Sequence, residues 1–218
     1  MARPAKIKPG TINRDFRTIR AMLKKALPGF HFTPGLFLPE NGTRVTWLRP
    51  EEEAVVCATM PAPFGDMARM AASTMMRLTE IRTLRREQGD PGHGVVTLPR
   101  TKAGPRQVIL SAEARGLLAK GIEATGGVYL FPNTDGNHYS RSQVSRVWHK
   151  AAMAAGLSDF HDLRHHGATM ALNAGFSSSI VMSLGGWNSE RVMRRYAAVT
   201  DRTLRAAAEA VSGNGQWQ

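Results

Sequence analysis

Two short β-type runs limit the folds that this chain can adopt. Residues 95–99 and 106–111, VVTLP and RQVILS, contain several β-branched residues, and the segment between them includes Gly104 and Pro105. Two such runs across a short Gly- and Pro-containing segment predict an antiparallel hairpin. Helical patterns occupy most of the remaining chain. We therefore predict a mainly α-helical α+β fold with one small antiparallel sheet.

The helical patterns begin with a basic amphipathic segment. Residues 12–27 place apolar side chains at positions 12, 16, 19, 23 and 27, with Arg and Lys on the opposite face, which predicts an amphipathic helix. Residues 28–50 are rich in Gly and Pro and indicate a linker, and residues 86–94 indicate a loop. The other predicted helices begin near residue 50 and span 65–85, 111–123, 140–155, 161–174, 177–184 and 189–198.

Composition excludes several classes of protein. A hydrophobic content of 42% over 218 residues is enough to build a core, so we do not expect wholesale disorder. The single cysteine, Cys57, cannot form an internal disulfide or a thiolate metal cluster, and we expect it to be a buried small residue. We see no apolar run typical of a signal peptide or a membrane span, so we expect a cytoplasmic protein.

Positive charge is concentrated near the start of the chain. Lys and Arg together number 29 and Asp and Glu 17, which gives a net charge of +12. Residues 1–50 contain ten basic and two acidic side chains (+8), and the remaining residues contain 19 and 15 (+4). A basic excess of this kind favours a polyanionic partner, of which nucleic acid is the first candidate.

The segment HDLRHHGATM, residues 161–170, gathers cations on one predicted helix. His161 and His165 are four residues apart, as two metal ligands could be, but Arg164 would repel a dication and no third ligand is evident. The acidic run at 51–53 is explained by the positive end of its own helix. His161 and Arg164 share a face and suit a phosphate group, while a solvated basic face explains this segment alone about as well. The predicted core-facing stripe is Leu163, Gly167, Met170 and Ala174.

Other candidate groups also have ordinary structural explanations. Arg77 and Glu80 are three residues apart and could pair, which would hold the guanidinium rigid, but most such pairs are surface salt bridges. Lys102 in the hairpin turn is a typical edge charge. Trp187 and Tyr196 are typical packing aromatics. The predicted core-facing residues around Arg77 are Met70, Thr74, Leu78 and Ile81.

The order and spacing of these residues resemble the catalytic domain of the tyrosine recombinases, the phage integrase family. That family carries an Arg, a hairpin Lys, His-x-x-Arg, a His or Trp, and then the nucleophilic Tyr. The resemblance covers about residues 45–200. The matching residues are Arg77 in RLTEI, Lys102 in TKAGPRQVIL, His161 and Arg164 in HDLRH, Trp187 in LGGW, and Tyr196 nine residues later.

The resemblance implies DNA strand cleavage and rejoining without metal, ATP or another cofactor. Arg77 and Arg164 would hold the non-bridging phosphate oxygens, and Tyr196 would attack phosphorus to form a 3′-phosphotyrosyl link. Lys102 would protonate the leaving 5′-oxygen. The remaining implied roles are a hydrogen-bond donor or proton exchanger at His161, an indole N–H donor at Trp187, and supporting positions at Glu80 and His165.

The resemblance also implies a domain organisation and partners. Residues 46–205 would form the catalytic domain, residues 1–45 a truncated remnant of a helical DNA-clamping domain plus linker, and residues 206–218 a tail. The expected partner is double-stranded DNA, with no membrane. We expect a homo-oligomer, a tetramer on synapsed DNA that can be a monomer without it, located in the cytoplasm at the nucleoid. The first segment would contact phosphates through Arg14, Arg17, Lys24 and Lys25.

Three alternatives remain open on the sequence. The chain could be a non-catalytic DNA-binding relic or regulator with the same fold, a relaxing enzyme like a type IB topoisomerase, or an RNA-binding structural protein. The pattern also departs from the family at Met75, where a glycine is usual shortly before the first arginine. We expect this difference to change how the helix end before Arg77 packs.

Overall fold

The computed structural model describes residues 7, 9–31, 34–39, 50–101, 104–153, 159–193 and 208–209. Lys102 and Tyr196 therefore lie outside the described residues. The chain divides into two compact units, Met1–Arg44 and Val45–Gln218. This division falls close to the boundary predicted at residue 45, while the roles assigned to the two parts stay predictions.

The first unit contains a helix with a loop folded against it. Helix α1 spans Pro9–Ala26 and matches the predicted segment 12–27. Its buried Asn13 side chain donates to the carbonyl of Leu38 and accepts from the Leu38 backbone N–H, both at 2.8 Å. Phe37 packs edge-on against Phe16 at 6.4 Å. Part of the predicted linker therefore packs against α1, where Asn13 bonds both backbone groups of Leu38.

The second unit contains eight helices in its described part, which mostly fall where periodicity predicts them. They are α2 (Pro50–Thr59), α3 (Phe64–Thr74), α4 (Leu78–Arg82), α5 (Ala112–Ala124), α6 (Arg141–Ala152), α7 (His161–Asn173), α8 (Ser178–Gly185) and α9 (Glu190–Met193). The predicted helix 189–198 is described only as far as Met193. No helix in the described ranges is long and apolar enough to cross a bilayer.

The described residues form a sheet of three antiparallel strands, which pair in chain order. The predicted hairpin is present as β2 (Val95–Leu98) and β3 (Arg106–Ile109), in which the buried Val96 and Val108 are directly opposite. Strand β1 (Gly89–Asp90) lies inside the segment predicted to be a loop. Two residues are too few to show alternation, so the sequence carries no signal for this strand.

The predicted single helix over 65–85 is wrong, because the chain breaks it at residues 75–77. Met75 has φ 54°, a left-handed conformation, and its N–H donates to the Ala71 carbonyl to end α3. Arg77 is extended and begins α4. Methionine carries none of the Gly or Pro signals that mark a break, and the left-handed conformation costs a non-glycine residue roughly 1–2 kcal/mol. The departure at Met75 thus lies at the point where the helix ends.

The core of the second unit surrounds α3, which packs against α2, α5 and α7. Trp148 and Phe160 contact edge-to-face at 5.3 Å. The thiol of Cys57 is buried as expected, and burial, reinforced by the charge of Glu53, raises its pKa to about 12. This thiol is therefore a packing group and not a nucleophile.

The predicted core face of α7 is only partly right. Leu163 is buried, but Met170 is 37% exposed and Ala174 is also exposed. The prediction assumed that cations face solvent, whereas α7 buries Arg164 and His166 instead. Both side chains find protein partners, so the helix can turn its polar side inward.

Candidate active site

An arginine–carboxylate cluster lies where α4 begins. Glu80 accepts from the Arg77 side chain Nη1 at 2.8 Å and from the Arg77 backbone N–H at 2.8 Å. The Nη2 atom of Arg77 donates to the Gly186 carbonyl at 3.0 Å. The ion pair expected from the i, i+3 spacing is therefore present, and it is tied to the turn after α8. Hydrogen bonds to two elements fix the orientation of this guanidinium far better than an isolated surface pair would.

Arg106 on β3 joins the same cluster, and sequence reasoning missed it. Its Nη2 donates to Glu80 at 2.9 Å and its Nη1 donates to the Leu184 carbonyl at 3.1 Å. Burial opposes ionisation of Glu80. The hydrogen bond from the Arg77 backbone and the charges of Arg106 and Arg77 outweigh that effect and lower the pKa of this carboxyl. Glu80 is therefore a carboxylate shared by two arginines.

Two predicted residues, Arg164 and Trp187, lie in direct contact. The Arg164 side chain is 1% exposed, its Nη1 donates to the Met75 carbonyl, and its Cζ lies 3.8 Å from the centre of the Trp187 ring. Stacking of a guanidinium on an indole is a favourable cation–π contact. The structure thus directs Arg164 inward from α7, where the sequence predicted it to point outward beside His161.

Two glycines allow Trp187 to take this position. A Cβ on Gly185 would lie 1.9 Å from the Trp187 ring, and a Cβ on Gly186 would lie 2.7 Å from Nε of Arg106. Gly186 also has φ 69°, the left-handed conformation that ends α8. The two glycines are therefore required because Trp187 packs closely against Gly185 and Arg106 packs closely against Gly186.

His161 opens α7 beside two carboxylates. Its backbone N–H donates to Asp159 at 3.1 Å, and the Asp159 N–H donates to Asp162 at 3.0 Å. Partial burial lowers the pKa of His161, and the charge of Arg164 lowers it further. The His161 ring contacts the His165 ring edge-on at 4.6 Å. A neutral imidazole at this position can accept a proton.

A pocket of about 300 Å³ brings Arg77 and His161 together. Its wall also includes Arg141, the first residue of α6, which sequence reasoning did not select. Arg141 is exposed and makes no hydrogen bond or ion pair with any residue that the structure describes. The other lining residues are Leu78, Thr79 and Asp159. Three cationic or proton-accepting groups around one pocket suit an anionic ligand.

The acidic run at the start of α2 has a second role. Glu53 pairs with the buried His166 at 2.9 Å, which ties α2 to α7 next to Arg164. The predicted interaction with the helix dipole accounts for the acidic residues 51–53 as a group, but it does not predict the pair of Glu53 and His166. Within the described ranges, no group of three or more His, Cys, Asp or Glu side chains is arranged to hold a metal ion.

The four basic residues predicted to contact DNA lie on α1 in the first unit. All four are exposed, and the Arg17 guanidinium lies 5.7 Å from the centre of the Phe37 ring. Arg14 lies 3.7 Å from Asp15. The two other members of this set are Lys24 and Lys25.

Comparison with known proteins decides the family. Residues 55–203, more than half of the chain, match the sequence model of the phage integrase family. The chain belongs to the phage integrase family. The resemblance to the tyrosine recombinases is therefore confirmed.

Relatives within the phage integrase family are longer than this chain. The prophage phiRv2 integrase of Mycobacterium tuberculosis is 30% identical over 200 residues, covering 78% of this chain and 53% of that protein. The integrase of Salmonella phage P22 is 28% identical over 181 residues, covering 76% and 46%. The chain thus spans about half the length of these relatives.

Solved structures show the same fold. The Tn1549 transposon integrase in complex with a circular intermediate DNA matches with a TM-score of 0.78 at 17% identity, covering 94% of this chain and 80% of that one. This likeness confirms the predicted integrase-like α+β fold class.

Proposed function

We propose that this chain is the catalytic part of a site-specific recombinase that cleaves and rejoins DNA through a 3′-phosphotyrosyl intermediate. The observation that carries the proposal is the pocket shared by Arg77 and His161 in a member of the phage integrase family. Its relatives include the integrase of a phage and that of a transposon, the latter in complex with DNA.

The two arginines stabilise charge at the reacting phosphate. A phosphodiester under attack gains negative charge on its non-bridging oxygens, and preorganised donors lower that barrier. A guanidinium carries five N–H donors, so Arg77 retains donors for DNA beyond those that bind Glu80 and Gly186. Arg164 supplies the second cation, and Trp187 stacks on it and adds its indole N–H.

Proton transfer completes the proposed reaction. A tyrosine has a pKa of about 10, so Tyr196 needs a nearby base or a strong positive potential to attack at neutral pH. His161, whose pKa is lowered, accepts the tyrosine proton. Tyr196 oxygen bonds to phosphorus, and the bond to the 5′-oxygen breaks. Lys102 gives that oxygen a proton, and the phosphotyrosyl link conserves the bond energy, so rejoining needs no ATP. The cationic donors stabilise the phosphate charge in this proposal without a metal or cofactor.

DNA binding in this proposal rests on the distribution of positive charge. The exposed Arg14, Arg17, Lys24 and Lys25 contact phosphates of the duplex, and Arg141 contacts a phosphate at the mouth of the pocket. Recombination joins four strand ends, so the working form is a homo-oligomer, a tetramer on synapsed DNA. The protein acts in the cytoplasm at the nucleoid.

Covalent selection tests the proposal on duplexes of many sequences at once. The protein is mixed with random-sequence duplexes nicked in one strand, in the presence of EDTA. Cleavage near a nick releases a short 5′-hydroxyl fragment that diffuses away, so the adduct accumulates. We expect a denaturant-resistant protein–DNA band with the wild type and none with Tyr196→Phe, and sequencing the recovered DNA gives the target.

The same experiment separates the alternative functions. Strong DNA binding without any adduct would contradict cleavage and favour a non-catalytic DNA-binding protein. An adduct on every sequence, with relaxation of supercoiled plasmid and no strand exchange, would favour a relaxing enzyme. An adduct that persists in Tyr196→Phe would contradict the assignment of the nucleophile.

A further inference from the structure

We propose that Arg106 is a positioning residue for the strand-cleavage reaction, acting through Glu80 on Arg77 and through the end of α8 on Trp187. This inference rests on the proposed function of the pocket. It concerns a strand residue to which neither the sequence pattern nor the comparisons assign a role.

The first link runs through a shared carboxylate. Arg106 donates to Oε2 of Glu80 at 2.9 Å, and the Arg77 backbone N–H donates to the same oxygen at 2.8 Å. The other oxygen of Glu80 accepts from the Arg77 side chain. Because one carboxylate serves both arginines, the position of Glu80, and with it the direction of the Arg77 guanidinium, depends on Arg106.

The second link runs to the turn that carries Trp187. Arg106 donates to the Leu184 carbonyl at 3.1 Å, and Arg77 donates to the Gly186 carbonyl at 3.0 Å. The two arginines therefore hold two carbonyls, two residues apart, in the last turn of the chain before Trp187. A Cβ on Gly186 would lie within 3 Å of the Arg106 guanidinium, so the turn is packed against this side chain.

Only a guanidinium fits both links. The Arg106 side chain is 11% exposed and reaches two acceptors on different elements with two separate nitrogens. A lysine places three donors on one nitrogen and cannot reproduce this planar fork. Arg106 therefore connects β3, α4 and α8 and sets the geometry of Arg77 and of Trp187 without contacting the reacting phosphate.

The test uses the full chain and a duplex recovered by covalent selection. We expect Arg106→Gln to form the adduct about 10- to 100-fold more slowly, because small displacements of catalytic groups carry penalties of this size. The dissociation constant for the same duplex should stay within about twofold, since Arg106 meets no phosphate. Arg106→Lys should restore only part of the rate.

Arg115 provides a control, because its guanidinium also bonds two acceptors, the backbone carbonyls of Pro91 and Gly92, but away from the pocket. Arg115→Gln should leave the rate of adduct formation unchanged. Should Arg106→Gln fail to fold, Arg106→Lys keeps the charge and carries the same comparison. In an Arg77→Lys background, Arg106→Gln should slow the reaction less than it does alone, because its effect passes through Arg77.

Three results would overturn the proposal. The first is a wild-type rate in both Arg106 variants. The second is an equal loss of rate in Arg115→Gln, which would indicate a general effect on folding. The third is a loss of DNA affinity that accounts for the whole loss of rate, which would make Arg106 a DNA contact. Absence of any adduct with the wild type would instead contradict the proposed function itself.

Discussion

At the scale of single residues, Met75 illustrates how the site constrains the backbone. Its left-handed conformation ends α3 and turns the chain so that its carbonyl meets Arg164. Its side chain is 3% exposed and packs with Ala168 and Val181. The residue thus combines an unfavourable backbone conformation with a favourable buried side chain.

This combination predicts an unusual order of stability. Met75→Ala and Met75→Gly both delete buried side-chain atoms, but only glycine also relieves the left-handed conformation. We expect Met75→Gly to have the higher free energy of unfolding, by about 1 kcal/mol. Urea denaturation of both variants measures the difference.

Met76 is the control for this comparison, since it is buried and its φ is negative. There we expect the usual order, with Met76→Ala more stable than Met76→Gly. The same order at both positions would show that the conformation of residue 75 costs nothing.

The residue scale also shows why part of the site could not be predicted. The three-residue spacing of Arg77 and Glu80 predicts their pair, although the pair forms across the start of α4, with Arg77 extended just before the helix, and not within one helical turn. Arg106 reaches Glu80 from a strand 26 residues away, and no local pattern encodes that contact. The helical period places Arg164 beside His161, opposite the core-facing stripe and aimed at an anion. The burial of Arg164 depends on partners, Met75 and Trp187, that the fold brings from elsewhere.

At the scale of elements, the close packing of α3 and α7 depends on a glycine. A Cβ on Gly167 would lie 2.6 Å from the Ala72 carbonyl oxygen. Backbone atoms cannot move aside as a flexible side chain can, so the two helices would have to separate. Most helices and the hairpin were predictable because each is encoded in a short window of sequence, while the break at Met75 was not. The distance between helices is set by pairs of distant residues.

Two glycines within helices should therefore respond in opposite ways to alanine. Gly167→Ala should lower the free energy of unfolding by about 1–3 kcal/mol, through overpacking against α3. Gly116 in α5 has open space around its Cα. Gly116→Ala should raise the free energy of unfolding by up to about 1 kcal/mol, because alanine is the better helix former.

Thermal or urea unfolding of the two variants checks this prediction. Destabilisation by Gly116→Ala as well would mean that helix propensity does not decide stability in α5. A neutral effect of Gly167→Ala would show that α3 and α7 can separate without cost.

At the scale of the whole molecule, the net charge of +12 determines how the affinity of the protein for DNA depends on salt. Each phosphate contact releases condensed counterions, so affinity falls as salt concentration rises. Most basic side chains near the pocket form hydrogen bonds or ion pairs with other protein groups. Arg141 lines the pocket and forms no hydrogen bond or ion pair within the described residues.

Replacement of Arg141 should therefore change the salt dependence of DNA binding. We expect Arg141→Gln to reduce the slope of log affinity against log salt by about 1, the signature of one lost phosphate contact. Fluorescence anisotropy with a labelled duplex at several salt concentrations measures the slope.

The control is Arg85→Gln, which removes an exposed arginine paired with Glu87. Its slope should equal that of the wild type. Equal reductions in both variants would indicate a general charge effect, and an unchanged slope in Arg141→Gln would place Arg141 away from the DNA.

The hydrogen bond between Arg77 and the Gly186 carbonyl also determines when the pocket can form during synthesis of the chain. These partners are 109 residues apart in the chain. A ribosome adding about 5–20 residues per second needs roughly 5–20 seconds to travel between them. Throughout that interval the growing chain contains Arg77 but not the turn at Gly186 that holds its guanidinium. The pocket is therefore assembled only after Gly186 has been synthesised, at least that long after Arg77.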